Sequence, residues 1–214
     1  GGTNWESDLQ GAGRVTALPA CGENDDIDKI IPLNDMKGYE LLKATMFGFG
    51  YPNYGVALLL KEEATGKIFL QRVKITGSNA KPRILEIFKD EVIGLPGIPT
   101  VSALPLNGPE YMFFAVDKNV YCLDLNNITK PVTLYKSFDA NVVAMNAESE
   151  TYSCAHMAVG LENGEFYILM IYGAKNLSEE EKVIYPKHGA AYPAEERMGR
   201  IVDIKYKQLD HWNY

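Results

Sequence analysis

Residues Phe47-Gly48-Phe49-Gly50-Tyr51-Pro52-Asn53-Tyr54-Gly55 interleave four aromatic rings with three glycines. Glycine lets a loop backbone turn freely, and a tyrosine carried on such a loop offers a flat apolar face with a hydroxyl at one end. That combination stacks on sugar rings or grips an extended peptide. Phe49, Tyr51 and Tyr54 are therefore the candidate ligand-binding residues. The competing reading is an inter-strand loop whose rings cap the core.

No comparable pattern points to catalysis. Asp117, Asp124, Asp139 and Glu162 fall at the ends of expected strands. Propeller glycosidases gather such acids from distant blades onto one face, where two carboxylates share acid and base or nucleophile roles. Each of these four is more simply a turn residue. Asn24, Asp26 and Asp28, with Asp35 in the twelfth position, alternate like the start of a calcium loop. Lys29 stands where the sharp turn needs glycine, and Asp35 replaces the bidentate glutamate, which leaves a solvated acidic turn. His156, His188 and His211 have no metal-ligand spacing, and His156 opens an apolar strand as a core or edge histidine. Gly48-Phe49-Gly50 lacks the third glycine and following helix of a dinucleotide loop, and neither a nucleophile elbow nor a P-loop is present. The sequence predicts no catalytic residue, no metal and no cofactor.

Cys21, Cys122 and Cys154 are too few and too irregularly spaced for a disulfide scaffold or a CxxC site. Cys122 lies within an apolar run and Cys154 beside one, so both read as buried thiols, with one bridge left open. Asn127-Ile128-Thr129 and Asn176-Leu177-Ser178 are glycosylation acceptors only in a secreted eukaryotic protein.

Charge narrows the partners. Lys and Arg number 21 against 28 Asp and Glu, a formal net charge of −7. An acidic chain repels a polyphosphate backbone, and the basic stretch Lys205-Tyr206-Lys207 is too short to form a binding stripe, so nucleic acid is excluded. The longest apolar runs, such as residues 166–172, fall far below the ~18 residues that cross a bilayer, so no transmembrane segment is expected. With hydrophobic residues at 46% and charged residues at 23%, the chain has the balance of a folded domain. Its opening, Gly1-Gly2-Thr3, carries neither Met nor a leader, and the natural beginning is expected to lie upstream.

The elements that must position these residues are strands. Residues 1–38 read as a weakly structured lead-in, followed by a β domain over 39–214. Short runs of Val, Ile, Leu, Phe and Tyr bounded by Gly, Pro, Asn or Asp mark strands at 39–47, 55–61, 67–75, 82–88, 100–106, 110–116, 119–125, 132–137, 141–146, 155–161, 165–172, 182–185 and 200–206. Helix punctuation is confined to single turns at 178–181 and 193–198. Three hairpins share one grammar, turning at Ala64-Thr65-Gly66, Asp117-Lys118 and Glu162-Asn163-Gly164. Phe69, Tyr121 and Tyr167 are equivalent and recur at roughly 50 residues, the period of four-stranded propeller blades. The expected fold is all-β, with propeller-like four-stranded antiparallel blades: about three full ones plus the terminal strand 200–206. The chain then reads as the C-terminal part of a larger propeller; a β-sandwich is the alternative.

The grammar of Tyr111-Met112-Phe113-Phe114-Ala115-Val116-Asp117-Lys118-Asn119-Val120-Tyr121-Cys122-Leu123-Asp124, with Met198-Gly199-Arg200-Ile201-Val202-Asp203-Ile204-Lys205-Tyr206-Lys207 downstream, resembles the C-terminal propeller-like region of PKD-like family lipoproteins of Bacteroidetes. The resemblance spans about 39–207, without the family's PKD part or a lipobox. It implies export to the cell surface or periplasm. Together these readings predict a non-enzymatic binding or scaffold module that contacts glycan or protein, with self-association through an open blade edge as a further expectation. The alternatives are a propeller glycosidase or lyase with a carboxylate pair on one face, and a protein-interaction platform inside the cell.

Overall fold

A computed structural model describes residues 14–16, 30–32, 36–48, 54–76, 83–105, 110–151, 154–172, 185–191 and 201–204. The strands are β1 (Arg14–Thr16), β2 (Ile30–Pro32), β3 (Tyr39–Gly48), β4 (Tyr54–Glu62), β5 (Ile68–Thr76), β6 (Arg83–Glu91), β7 (Val101–Ala103), β8 (Tyr111–Val116), β9 (Asn119–Asp124), β10 (Thr133–Ser137), β11 (Val142–Thr151), β12 (Cys154–Leu161), β13 (Phe166–Tyr172) and β14 (Tyr185–Ala191). One 3-10 turn, Leu125–Asn127, interrupts them. The chain is all-β. Three four-stranded antiparallel meanders run β3-β4-β5-β6, β7-β8-β9-β10 and β11-β12-β13-β14, and β1 pairs with β2. Two compact units result, Gly1–Glu91 and Val92–Tyr214.

In the first unit, Val56, Leu58 and Leu60 of β4 share one face with Val73 and Ile75 of β5 and form its core, with Leu41, Phe69 and Ile84 at the margin. Ala57 and Leu59 on the other face of β4 are buried as well, as are Ile68 and Leu70 of β5. That is why β4 reads as an unbroken apolar run rather than an alternating one: a strand covered on both faces has no polar side to show. The β4–β5 turn closes with the Glu62 N–H on the Lys67 carbonyl and the Gly66 N–H on the Glu62 carbonyl, both at 2.8 Å. Gly66 adopts φ +72°, a left-handed conformation that side chains resist.

In the second unit, two sheets share one core. Phe113 and Ala115 of β8 and Val120 of β9 meet Met157, Val159 and Leu161 of β12 and Leu169 and Ile171 of β13. Phe113 packs edge-on to Tyr135 at 5.2 Å between ring centroids. The Asp117-Lys118 turn of the first of these sheets also receives the chain entering the second. Val142 donates its N–H to the Asp117 carbonyl and Phe138 donates to the Lys118 carbonyl, each at 2.9 Å. Asp117 takes φ +52° to do so, which aspartate tolerates better than most residues. A further link repeats between units. Glu63 N–H bonds the carbonyl of Gly38 just before β3, and Glu162 N–H bonds that of Asn141 just before β11, both at 2.9 Å.

Register breaks follow a rule. The pairs β4·β5, β8·β9 and β12·β13 run without interruption. The extra residue of each break sits instead on an inner or outer flanking strand: Leu42 on β3, Leu85 on β6, Tyr135 on β10, Val143 and Glu150 on β11, and one on β14. Bulges twist an edge out of the flat geometry that invites a foreign strand, so the flanking strands are blunted while the central ones stay regular.

Two strand expectations are corrected. Residues 201–204 are not a strand; Ile201 instead packs face-on against Gly160 of β12. The apolar–polar alternation there reflects one buried contact rather than a ladder. The outer strand of the third meander, expected at 182–185, is Tyr185–Ala191, with Tyr172 opposite Tyr185 and Tyr167 opposite Ala191. Pairing with β13 sets this register and carries Gly189, Ala190 and Ala191, which have little strand preference of their own. The expected helical turns at 178–181 and 193–198 lie outside the described residues.

Candidate functional site

β3 and β4 pair as far as Gly48 and Tyr54, the neck of the expected aromatic loop. Phe47 at that neck is buried at 8% exposure and caps the sheet, as the competing reading of this ring had it. Phe49 and Tyr51 lie outside the described residues, and Tyr54 opens β4.

The acidic residues have local roles. Asp124 commits both carboxylate oxygens to the 3-10 turn: Oδ1 accepts from the Asn126 N–H at 2.9 Å and Oδ2 from Asn127 Nδ2 at 3.0 Å. Asp117 and Glu162 are exposed hairpin residues, and Asp139 is exposed between β10 and β11. Among the described residues no group of three His, Cys, Asp or Glu side chains is arranged to hold a metal ion. Asn24, Asp26, Asp28, Asp35, His211 and Cys21 are outside them. His156 is half-buried on β12, opposite Glu148 and Met170. Cys122 and Cys154 are buried thiols, as their apolar surroundings predict. Burial, with the Asp124 charge behind it, pushes the Cys122 thiol well above its ordinary value. Burial, then Asp124, Cys122 and Glu110, pushes Tyr111 up to about 12, and burial beside Cys122 raises Tyr135 further. All three groups are held neutral, which suits an apolar interior. No helix among the described residues is long and apolar enough to cross a membrane.

Sequence reasoning missed a cluster at the other end of the first four-stranded sheet from the aromatic loop. Tyr39 opens β3, Glu62 closes β4, Phe69 lies near the start of β5, and Lys89 lies near the end of β6. The Tyr39 and Phe69 rings meet edge-to-face, with centroids 5.8 Å apart and planes at 89°. The Lys89 ammonium stands 3.4 Å from the Tyr39 centroid and 5.4 Å from that of Phe69. Such placement lets a cation feel the negative face of the π system. Glu62 anchors the tyrosine: Oε1 accepts from the Tyr39 hydroxyl at 3.4 Å, while Oε2 accepts from Thr65 Oγ1. Glu91 lies opposite Phe69 and pairs with Lys67 at 3.1 Å. Lys89 is exposed and both rings are half-buried, so the cluster faces solvent.

The second unit holds a counterpart. Phe138, just before β11, meets Tyr167 of β13 at 4.9 Å and 57°. The Lys136 ammonium lies 5.4 Å from the Phe138 ring and 6.0 Å from that of Tyr167. The rings come from matching places in the two sheets, the approach to the inner strand and the third strand. The lysines differ in origin: Lys89 belongs to the outer strand of its own sheet, Lys136 to that of the preceding sheet. The equivalence of Phe69 and Tyr167, legible in the repeat, was the signal that could have led to both clusters.

No family model matches the chain, and neither does any curated protein. Among solved structures, the crystal structure of BBS1N in complex with ARL6DN, soaked with lead, is similar over 85% of this chain at 14% identity, with a TM-score of 0.44. The chain spans about half of that structure's length, 49%.

Proposed function

We propose that the protein is a non-enzymatic binding module of an exported bacterial surface protein, its three meanders acting as successive blades of a propeller-type assembly. The observation that carries the binding reading is the pair of aromatic–ammonium clusters, which hold charge against ring faces and place neither a nucleophile nor a base. The commitment of Asp124 to a turn supports the same reading, since that acid belongs to the hydrolase alternative. The blade assignment is supported by the handover from β10 to β11, where the preceding sheet's hairpin turn bonds the incoming chain. The exported location follows from the resemblance to the PKD-like lipoproteins. The partner is a protein or a glycan, with Phe49, Tyr51 and Tyr54 as the glycan-facing residues.

Glycan and peptide arrays probed with the folded chain test this proposal. Saccharide binding lost in Tyr51→Ala and Tyr54→Ala, with the β-sheet circular dichroism signal intact, supports the glycan arm. Peptide binding indifferent to those substitutions supports the protein arm. A folded chain that binds on neither array refutes the module.

A further inference from the structure

We infer that the Tyr39–Phe69 pair is a binding site for a lysine side chain of a partner polypeptide, and that Lys89 is its resident competitor. This deepens the protein arm of the proposed function at a place separate from the aromatic loop. Three observations converge on it.

The first is geometric. Two rings at 89°, with centroids 5.8 Å apart, form two walls of a corner, and an ammonium group already occupies it, 3.4 Å from one centroid. Ring faces attract alkylammonium ions because the π quadrupole is negative there, and two rings act on one cation. The second is electrostatic. Glu62 holds the tyrosine by its hydroxyl and Glu91 lies across from Phe69, so the rim of the corner is acidic and complements a cation.

The third comes from the internal repeat. In the second unit, the equivalent corner of Phe138 and Tyr167 takes Lys136, delivered from an element outside the sheet that supplies Tyr167. The repeat thus shows what such a corner receives: a lysine reaching in from elsewhere. In the first unit the ammonium comes from the sheet's own outer strand, on an exposed side chain with a flexible four-carbon stem. A residue so placed can swing out when another ammonium arrives, whereas Lys136 is held where two packed sheets meet.

The test uses the whole chain and two probes, N-acetyl-lysine methylamide and its Nζ-acetylated form, which keeps the stem and removes the charge. Ring 1H–13C resonances of Tyr39 and Phe69 are followed by NMR during titration. The expected result is a saturable shift with the charged probe and none with the acetylated one. Lys89→Ala should tighten binding by about fivefold or more, because the occupied fraction of the corner no longer competes. Tyr39→Leu should abolish it. Absence of a saturable shift in folded Lys89→Ala would overturn the proposal, as would equal response to the acetylated probe or binding retained in Tyr39→Leu. If Lys89→Ala does not fold, Lys89→Gln gives the same readout. Failure here with saccharide binding intact at Tyr51 and Tyr54 leaves the module standing and removes this site alone.

Discussion

Ile201 occupies the space that Gly160 leaves by having no side chain. A Cβ on Gly160 would stand 2.6 Å from Ile201 Cγ2 and 3.3 Å from Ile201 Cβ. The close atoms belong to the branch point rather than to a free end, and a β-branched side chain has little χ1 freedom with which to retreat. Gly160→Ala should therefore destabilise the fold by about 1–3 kcal/mol through overpacking. Ile201→Ala opens the space again, so the double variant should lose less than the two single losses together. Urea unfolding of the four proteins gives the coupling directly, and purely additive losses would contradict the contact.

Tyr135 is the bulged residue of β10, and the extra residue turns its ring onto Phe113 while the next side chain, Lys136, reaches Phe138 and Tyr167. Its hydroxyl is buried and has no hydrogen-bond partner among the described residues. An unsatisfied buried hydroxyl costs about 1–3 kcal/mol, so Tyr135→Phe should be neutral or stabilising by about 1 kcal/mol. Phe113→Ala removes the other ring from a fully buried position and should cost about 3–5 kcal/mol. Thermal unfolding separates the two, and a clear loss in Tyr135→Phe would mean that the hydroxyl has a partner.

Asp124 ties the 3-10 turn to the ionisation of Tyr111. Asp124→Ala removes the acceptor for Asn126 and should cost about 1 kcal/mol, as loss of a cap does. Asp124→Asn keeps an acceptor oxygen and should cost less. Both remove a negative charge that raises Tyr111, so its pKa should fall from about 12 towards the ordinary 10.0. Ultraviolet titration of the phenolate in each variant checks the direction.

What the chain disclosed in advance was local. The hairpins at Gly66, Asp117 and Gly164 were legible because two- and three-residue turns between apolar runs need residues that accept left-handed φ. Burial of β8 on both faces was legible for a similar reason, its six residues being apolar without alternation. Long-range choices were not. Nothing near Ile201 announces that its partner is Gly160, about 40 residues upstream, and an alternating pattern alone reads as a strand. Bulges leave no composition signal, since Leu42, Leu85 and Tyr135 are ordinary strand residues. The Tyr39–Phe69–Lys89 corner draws on three strands, and only the alignment of Phe69 with Tyr167 carries a trace of it.

Alkaline stability should depend on Cys122. Its folded pKa is raised above the ordinary 9.0 by burial and then by Asp124, so the folded chain keeps the thiol proton while the unfolded chain releases it. The sign follows from linkage: a proton held more tightly in the fold stabilises it below the unfolded pKa, and that contribution is lost as pH rises. From about pH 9 upward, stability should fall by as much as about 1.4 kcal/mol per pH unit from this group alone. Tyr111 and Tyr135, raised in the same direction, extend the loss beyond pH 10, the ordinary value for tyrosine. Cys122→Ala removes the first contribution, so its unfolding free energy should start lower at pH 7 yet decline less steeply between pH 9 and 10. Urea midpoints measured at intervals over that range decide it: parallel curves for the two proteins would show that the thiol titrates alike in both states.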